Sequence, residues 1–409
     1  MEKIAICGAG PAGLAMALML ARSGRDVEVF ERFAVPEPVG SGLILQPTGL
    51  SVLHMLGLYD RIRGLGHRID RLWGTDVRTG RAVLDVRYDS GSRGRFGLAV
   101  QRAALFSTLH DAVASSGIPI AAGRMVSGVR DVEGRPVLRF SDGSEVGPYG
   151  LVIDASGARS AVVSQLCGDD RSRQLDYGAF WATLDANAMA YERNALVQRY
   201  DKASVMIGVL PVGRLSAEGR DKIAFFWSQR IDGAEAVLGS GLAAWKAQVI
   251  RYWPETAAML DEIGSWDSLT LARYQHRTLR RPACGRVVFI GDAAHSTSPQ
   301  LGQGANMALL DAAALSLHLS QHRDMDAAID AYCRARRYHV RLFQLLSRMF
   351  TPFYQGDSAA LAFIRDQVVS SLAKVPPAPR ILASIVAGTL LDPFASAGVI
   401  EHDWQEDSA

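Results

Sequence analysis

Three glycines near the start of the chain, with an acidic residue after them, have the spacing of a phosphate and sugar site. The motif G-x-G-x-x-G comprises Gly8, Gly10, Pro11, Ala12 and Gly13. The first glycine of such a motif permits a tight turn, the second lets the backbone approach a pyrophosphate, and the third lets a helix pack closely on a strand. Glu31 can accept hydrogen bonds from both hydroxyls of an adenosine ribose, and Arg32 beside it is a further candidate contact. These residues predict a dinucleotide site.

The elements that must position these residues follow in the required order. Residues 4–7 form a short apolar run, which is typical of a strand buried on both faces. The sequence predicts a helix over residues 14–22 and a second strand over residues 26–31. The helix N-terminus would carry unpaired N–H groups and a partial positive charge, both of which favour phosphate. This βαβ unit does not choose between NAD and FAD, but its glycines argue against a signal peptide.

A second glycine-rich stretch lies far along the chain, where a strand over residues 286–290 is followed by a loop and a long Ala/Leu helix ending near residue 319. An aspartate at the end of a strand can hold a sugar-like hydroxyl. A glycine loop that feeds a helix N-terminus can present N–H groups to an electron-rich ring edge. The candidate binding residues are Gly291, Asp292, Pro299, Gly302, Gln303, Gly304, Ala305 and Asn306.

This second stretch resembles the C-terminal FAD motif of the FAD-dependent aromatic hydroxylases, the p-hydroxybenzoate hydroxylase-like single-component flavoprotein monooxygenases. The matching residues include Gly291, Asp292, Ala293, Ala294, His295, Pro299, Gly302, Gln303, Gly304, Asn306, Asp311 and Ala312. The resemblance implies one FAD that spans both motifs, with NADH or NADPH as a co-substrate that binds without a Rossmann domain of its own. His295 is expected to hydrogen-bond within its loop rather than to act in catalysis.

The resemblance also points to binding residues between the two motifs. Arg102 stands where the family has an arginine at the start of a helix, and its guanidinium would pair with FAD oxygens. Gly42 lies in a glycine-containing strand edge similar to the family's, and Gly157 matches the family's middle fingerprint. That fingerprint has an aspartate where this chain has Ser156. Asp154 is expected to substitute for that aspartate in part. Because the family's aspartate is associated with pyridine nucleotide binding, its replacement by Ser156 puts direct reduction by NAD(P)H in question.

The fold class expected is α/β, with a Rossmann-like FAD-binding domain, a second domain built on an antiparallel sheet, and a C-terminal helical extension. Short alternating strands are expected from about residue 175 to residue 266, and a break in the helical pattern is expected over residues 349–354. The predicted FAD-binding domain comprises residues 1–70, 95–174 and 268–348, the substrate-binding domain residues 71–94 and 175–267, and the extension residues 349–409.

No side chain is singled out for catalysis, because FAD itself would carry the chemistry. The candidate pocket residues are Gln46, Phe180, Phe226 and Pro299. Side chains alternate faces along a strand, so Phe180 and Trp181 point to opposite sides, as do Phe226 and Trp227. One aromatic residue of each pair is expected to face a pocket. No charged pair is evident that must hold a carboxylate, which favours a lipophilic or extended aromatic substrate over a small acid.

Composition excludes several classes of function. The chain has 44 basic and 42 acidic residues and a formal net charge of +2, without a polybasic run, which argues against a nucleic-acid partner. The 4 cysteines lack paired spacing, which argues against a disulfide framework or a metal site and favours a cytoplasmic location. No transmembrane segment is expected. The C-terminal helices are expected to pack on the domain, with a homodimer surface or a peripheral membrane contact as alternatives.

The predicted function is that of an FAD-dependent monooxygenase. By resemblance, it would use NAD(P)H and O2 through a flavin C4a-hydroperoxide to oxygenate an aromatic or lipophilic small molecule. Two alternatives remain open at this point, namely an FAD-dependent reductase or desaturase on the same fold and a non-catalytic FAD-binding partner protein. The chain lacks a W-x-W motif, which weighs against a flavin-dependent halogenase.

Overall fold

The computed structural model describes residues 2–35, 41–167, 172–186, 192–405 and 407. Its strands are, in chain order, β1 (Ile4–Cys7), β2 (Val27–Phe30), β3 (Gly42–Leu45), β4 (His67–Ile69), β5 (Arg71–Asp76), β6 (Ala82–Arg87), β7 (Gly97–Gln101), β8 (Ile120–Ala121), β9 (Val126–Val132), β10 (Arg135–Phe140), β11 (Glu145–Val146), β12 (Leu151–Asp154), β13 (Arg173–Asp185), β14 (Ala195–Asp201), β15 (Val205–Gly213), β16 (Lys222–Arg230), β17 (Thr270–His276), β18 (Ala283–Cys284) and β19 (Val287–Phe289).

The helices of the described residues are α1 (Pro11–Arg22), α2 (Pro47–Met55), α3 (Tyr59–Leu65), α4 (Arg102–Ser115), α5 (Ala161–Leu166), α6 (Ala234–Ser240), α7 (Leu242–Tyr252), α8 (Ala257–Asp261), α9 (Asp292–His295), α10 (Gly304–Gln321), α11 (Met325–Tyr354), α12 (Ala359–Ile364), α13 (Ser370–Leu372), α14 (Ala378–Ala387) and α15 (Phe394–Ala397). A π-helical turn over Arg365–Val369 joins α12 to α13. No helix among the described residues combines the length and the apolar character needed to cross a bilayer.

A six-stranded sheet in the order β18-β19-β12-β1-β2-β8 forms the centre of the first layer. All its neighbours pair in parallel except β18 and β19. The four residues of β1 are almost completely buried, as expected for a strand covered on both faces. Because β1, β2, β12 and β19 run the same way, their carboxyl ends meet at one edge of the sheet. Ligands of open α/β sheets bind at this edge.

A seven-stranded sheet in the order β17-β13-β16-β15-β14-β5-β6 forms the second layer. Its strands pair antiparallel except for β14 and β5, which pair in parallel. One face packs against α6, α7 and α8 through an aromatic core that includes Phe180, Trp227 and Trp245. The opposite face carries Trp181 and Phe226, whose rings lie 4.7 Å apart between centroids. The α/β fold class and the antiparallel second sheet are thus confirmed.

Two expectations about secondary structure were wrong. Residues 234–261 are mainly helical in α6, α7 and α8 rather than strands, because Trp245 and Val249, four residues apart, bury one helical face. The helix α11 continues through residues 349–354 without a break. Pro352 lies in its last turn, so the distortion caused by its ring and its missing N–H falls at the end of the helix.

The C-terminal helices cover the edge of the second sheet. Both α13 and α14, together with the π-helical turn, pack against the edge strand β6. An edge strand left bare would present unpaired backbone groups, so this cover protects it. The extension is helical, as predicted, but α11 crosses its expected start at residue 349. The exact domain boundaries stay a prediction.

Candidate active site

A cavity of about 1020 Å³ opens at the carboxyl edge of the first sheet and continues beneath the second sheet. Both glycine-rich motifs reach it, although they lie far apart in sequence. Of the residues predicted from sequence, the cavity is lined by Gly8, Gly10, Pro11, Ala12, Glu31, Arg32, Gly42, Gln46, Arg102, Gly157, Phe226, Asp292, Pro299, Gly302, Gln303, Gly304 and Ala305. The volume is at the upper end of the range for small-molecule sites and leaves room for a cofactor and a second molecule.

The first motif forms a cradle in which each glycine has a different reason to lack a side chain. Gly8 has φ +104°, and a Cβ there would lie 2.7 Å from the carbonyl oxygen of Ala155. A Cβ on Gly13 would lie 2.0 Å from the carbonyl oxygen of Gly8, so this glycine fixes the contact of α1 with β1. No atom lies within 4 Å of a Cβ built on Gly10, which is therefore the glycine that leaves open space at the cavity.

Charged side chains at the cavity differ in whether other groups of the protein form hydrogen bonds with them. Glu31 accepts hydrogen bonds from the N–H of Ala9 at 2.7 Å and from the N–H of Phe33 at 3.1 Å. No such partner engages the Asp292 carboxylate or the Arg102 guanidinium among the described residues, and both line the cavity. Desolvation raises the pKa of Asp292, while His295 and Arg102 lower it in part. Asp292 and Arg102 thus remain available to a bound molecule.

Four predicted residues lie behind the cavity wall rather than on it, namely Gly13, Asp154, Gly291 and Asn306. Asn306 ties α10 to β3, since its amide accepts from the N–H of Gln46 at 2.8 Å and donates to the carbonyl of Ile44 at 3.2 Å. Gly291 has φ +59° and places its N–H 2.9 Å from Asp311. These residues shape the loops from inside.

The position of Asp154 differs from the expectation that it would substitute in part for the family's aspartate. It is fully buried and accepts hydrogen bonds from the backbone and hydroxyl of Ser156 and from the hydroxyl of Ser160. Burial raises the pKa of Asp154, and the two serine hydroxyls lower it in part. A carboxylate held in this way organises the loop after β12 and does not replace a cavity-facing acid at position 156.

A buried network holds the second motif in place. Asp311 on α10 accepts from the Gly291 N–H, lies 2.5 Å from His295 Nε2 and accepts from Arg336 Nε at 2.8 Å. Asp311, His295 and Arg336 are all nearly inaccessible to solvent. His295 does not line the cavity, and its partner is the Asp311 carboxylate on α10 rather than a group of its own loop, as was expected.

The network continues to the C-terminal region through His339. Its Nδ1 lies 3.2 Å from Arg336 Nη1, and its Nε2 lies 3.0 Å from the carbonyl oxygen of Gly388. An arginine donates to Nδ1, so the neutral ring carries its proton on Nε2 and donates to Gly388. Burial lowers the pKa of His339 to about 3, with the charge of Arg336 adding to the effect.

This pKa predicts acid sensitivity. The unfolded chain protonates His339 near pH 6.5 and the folded chain does not, so the free energy of unfolding should fall as the pH drops from about 6.5 toward 3. Each pH unit corresponds to about 1.4 kcal/mol, or roughly 2 kcal/mol between pH 6.5 and 5. In urea unfolding, His339→Gln should show less loss over this interval than the wild type by that amount. His110→Gln, at a partly exposed position on α4, should follow the wild type, and an equal slope in all three proteins would contradict the assignment.

Beneath the second sheet, the cavity wall is mainly apolar and includes a group of aromatic side chains. Trp181 donates from Nε1 to the Tyr274 hydroxyl at 2.9 Å, and both residues line the cavity with Phe226. Burial raises the pKa of Tyr274. Its hydroxyl accepts from Trp181, so its own proton is free to point to a molecule in the cavity.

The position of Phe180 differs from the expectation that this residue would line the pocket. It lies on the opposite face of β13, buried within 5.7 Å of the Trp266 ring, and does not reach the cavity. The alternation of side chains was anticipated, but which aromatic residue of the pair faces the cavity depends on which side of the sheet the helices cover. Trp181 is the cavity residue of that pair.

Several further lining residues were not predicted from sequence. They come from β14, from the end of α11 and from α14, and they include Gln198, Tyr200, Tyr354, Gln355, Leu382, Ile385 and Val386. The only available signal was the apolar character of residues 380–391, which is equally typical of a helix that merely packs on the domain.

Comparison with known proteins assigns this chain to a family. The chain matches the FAD binding domain family over residues 1–344. It is 31% identical over 325 residues to 3-amino-4-hydroxybenzoate 2-monooxygenase of Streptomyces cremeus, a match that covers 76% of this chain and 77% of the relative. The chain belongs to the FAD-dependent aromatic hydroxylase family.

Solved structures agree with the fold. The tetrameric form of 2-methyl-3-hydroxypyridine-5-carboxylic acid oxygenase superposes with a TM-score of 0.78 at 20% identity, covering 99% of each chain. Klebsiella pneumoniae HpxO complexed with FAD and uric acid superposes with a TM-score of 0.77 at 22% identity, covering 95% of this chain and 96% of that one.

This protein is an FAD-dependent monooxygenase with NADH or NADPH as co-substrate, as predicted, and the reductase and non-catalytic alternatives are not favoured. The cavity fits the cofactor on its own evidence. It offers the open space at Gly10, an unengaged carboxylate and guanidinium, and the N-terminus of the 18-residue helix α10.

Proposed function

We propose that this hydroxylase oxygenates an uncharged, largely apolar aromatic molecule bound between the seven-stranded sheet and the C-terminal helices. The observation that carries the proposal is the composition of that wall. Of the described lining residues on the seven-stranded sheet, α11 and α14, the one charged residue is Arg273 on the edge strand β17, and strand alternation directs its side chain to the face opposite that of Tyr274. A carboxylate there would lose its hydration without gaining a counterion, which is costly.

We propose that the FAD-binding residues are those at the carboxyl edge of the first sheet. The glycines of the first motif and the N-terminus of α1 would hold the pyrophosphate, with Glu31 on the adenosine ribose. Asp292 and Arg102 would bind the ribityl and phosphate oxygens, and the N-terminus of α10 would face the electron-rich edge of the isoalloxazine. We also propose the domain division predicted from the sequence, in which these residues belong to the FAD-binding domain.

The chemistry is supplied by FAD, which when bound carries electrons from NAD(P)H to O2 and delivers one oxygen atom to the substrate. The balance is substrate, O2, NAD(P)H and one proton giving hydroxylated substrate, NAD(P)+ and water. The protein must position the ring and exclude water. We assign positioning to Tyr274, whose hydroxyl is oriented by Trp181 and can donate to an oxygen on the substrate.

The test has two parts. Anaerobic addition of NADH or NADPH to the yellow protein should bleach its visible absorbance, and the rate should rise with substrate. O2 consumption should then be stimulated by neutral alkylphenols and much less by hydroxybenzoates of similar ring size. Preference for the hydroxybenzoates would overturn the proposed substrate class, and a protein that consumes no O2 with any aromatic compound and forms no hydroxylated product would overturn the function.

A matched pair of variants ties the activity to the cavity. Trp181→Leu and Phe180→Leu remove neighbouring aromatic rings from opposite faces of β13. The first should raise the KM for the substrate at least tenfold, since it removes a lining ring and the partner of Tyr274. The second should leave KM within about twofold of the wild type while lowering stability. Equal effects on KM would contradict the placement of the substrate.

A further inference from the structure

Exposed apolar side chains are concentrated in one short part of this protein. Of 18 large hydrophobic side chains that are exposed among the described residues, 7 lie between positions 363 and 391. They are Phe363, Ile364, Leu372, Val375, Ile381, Leu390 and Leu391. Isolated exposed apolar residues are normal, but a concentration of this kind marks a surface that contacts something apolar.

The segments that carry these side chains are neighbours in space. The turn Arg365–Val369, α13 and α14 all pack against β6. A shallow groove between them is lined by Ser370, Ala373, Lys374 and Pro379 on one side and by β6 on the other. We call residues 363–391 the C-terminal apolar surface.

The exposed charges within this surface have one sign. They are Lys374 and Arg380, whereas the acidic Asp366 is mostly buried and bonded to Arg365. The next acid along the chain, Asp392, is exposed just outside this range and accepts a hydrogen bond from the N–H of Phe394. Apolar side chains interspersed with exposed basic ones form the combination that binds an interface of anionic lipid, where each contribution alone is weak.

A second copy of the chain fits this surface less well. A two-fold interface brings the same patch of both copies together, so four basic side chains, Lys374 and Arg380 of each copy, would enter one interface to which this surface contributes no exposed acid. The cores of such interfaces are depleted in charged residues. An anionic lipid surface would instead neutralise both side chains.

The same helix links the surface to the cavity. Ile381 on α14 is exposed, while Leu382, Ile385 and Val386 on the same helix line the cavity wall. The outer side of α14 thus belongs to the apolar surface and its inner side to the candidate substrate site.

We propose that residues 363–391 dock this hydroxylase on anionic membrane surfaces, with α14 between the lipid and the cavity. Docking would place the cavity next to the phase in which an uncharged lipophilic substrate dissolves. Only this consequence depends on the proposed function, and the docking itself does not.

The experiment is sedimentation of the full-length, FAD-loaded protein with sucrose-filled vesicles, at low and physiological salt, without substrate. Vesicles of phosphatidylglycerol and phosphatidylcholine in equal amounts should bind the protein at least tenfold more tightly than vesicles of phosphatidylcholine alone. Binding should weaken as salt rises. The experiment requires no turnover, so its failure would leave the proposed oxygenation untouched.

Two variants and their matched controls identify the surface. Lys374→Glu with Arg380→Glu should weaken binding to the anionic vesicles at least tenfold, and so should Leu372→Ser with Val375→Ser. The controls are Arg251→Glu with Arg323→Glu and Leu215→Ser, which alter exposed residues elsewhere and should bind as the wild type does. Unchanged FAD content shows that each variant is folded.

Three results would overturn the proposal. The wild type could show no preference for anionic vesicles, or the surface variants and the controls could bind equally well. The third is a wild-type dimer, detected by light scattering, that becomes monomeric in the surface variants while no protein sediments with vesicles. That result would assign the surface to a second copy of the chain.

Discussion

Replacing Arg102 and Asp292 together by alanine is expected to leave a folded protein that loses FAD on dialysis. Both side chains line the cavity without a hydrogen-bonding partner among the described residues, so their removal should disturb few contacts of the protein itself. A hydrogen bond to a charged group contributes about 1.5–3 kcal/mol, so each single replacement should weaken FAD binding roughly 10- to 150-fold. The measurement is bound flavin absorbance after dialysis, with calorimetric titration of FAD for the single variants.

The control replaces another arginine and aspartate, Arg61 and Asp111, which form an exposed ion pair on α3 and α4. Arg61→Ala with Asp111→Ala should retain FAD as the wild type does. Full retention of FAD by the Arg102 and Asp292 double variant would contradict the proposed cofactor site, while the family assignment would stand.

Asp311→Asn is expected to destabilise the protein by about 3–5 kcal/mol, because it leaves the buried guanidinium of Arg336 without its counterion. Burial by itself raises the pKa of Asp311. The charges and hydrogen bonds of His295 and Arg336 outweigh that effect and bring the pKa well below its ordinary value. The folded carboxylate thus stays ionised where an unfolded one takes up a proton. Its stabilising contribution is complete above about pH 4 and is lost as the pH falls. Urea unfolding at pH 7 measures the effect.

Two further variants test whether the unpaired charge is the cause. Asp311→Asn combined with Arg336→Met removes both charges and should recover part of the lost stability. Asp221→Asn breaks an exposed pair with Arg214, whose atoms lie 2.9 Å apart, and should cost less than about 1 kcal/mol. A loss of that small size in Asp311→Asn would show that the network contributes little.

The first layer was predictable because its residues follow local rules. Residues 4–7 are apolar and bounded by a glycine, and the structure has the strand there, followed by α1, which begins three residues earlier than predicted, and by β2 within its predicted range. The helix after the second motif, predicted to end near residue 319, ends at Gln321 in α10. In each case a glycine requirement or a helical period is visible within a short window of sequence.

The substrate side was less predictable because it depends on contacts between distant segments. The choice between Phe180 and Trp181 is made by α7 and α8, which bury Phe180, and these helices were themselves expected to be strands. Asp154 stands close in sequence to the missing acid at position 156, yet its carboxylate turns inward to Ser160. The lining residues of α14 reach the cavity only because the C-terminal helices return over β6.

The strand order of the first sheet has a consequence for how the protein forms on the ribosome. β1 is made first, but it pairs with β12, and β12 in turn pairs with β19, with all of the second sheet except β5 and β6 inserted between those two strands. Long-range parallel pairing of this kind is slow, because the loop must close before the contacts form. The nascent N-terminal unit therefore waits with an unpaired strand edge until residues 287–289 have emerged, and a chaperone holding that edge would protect it from aggregation.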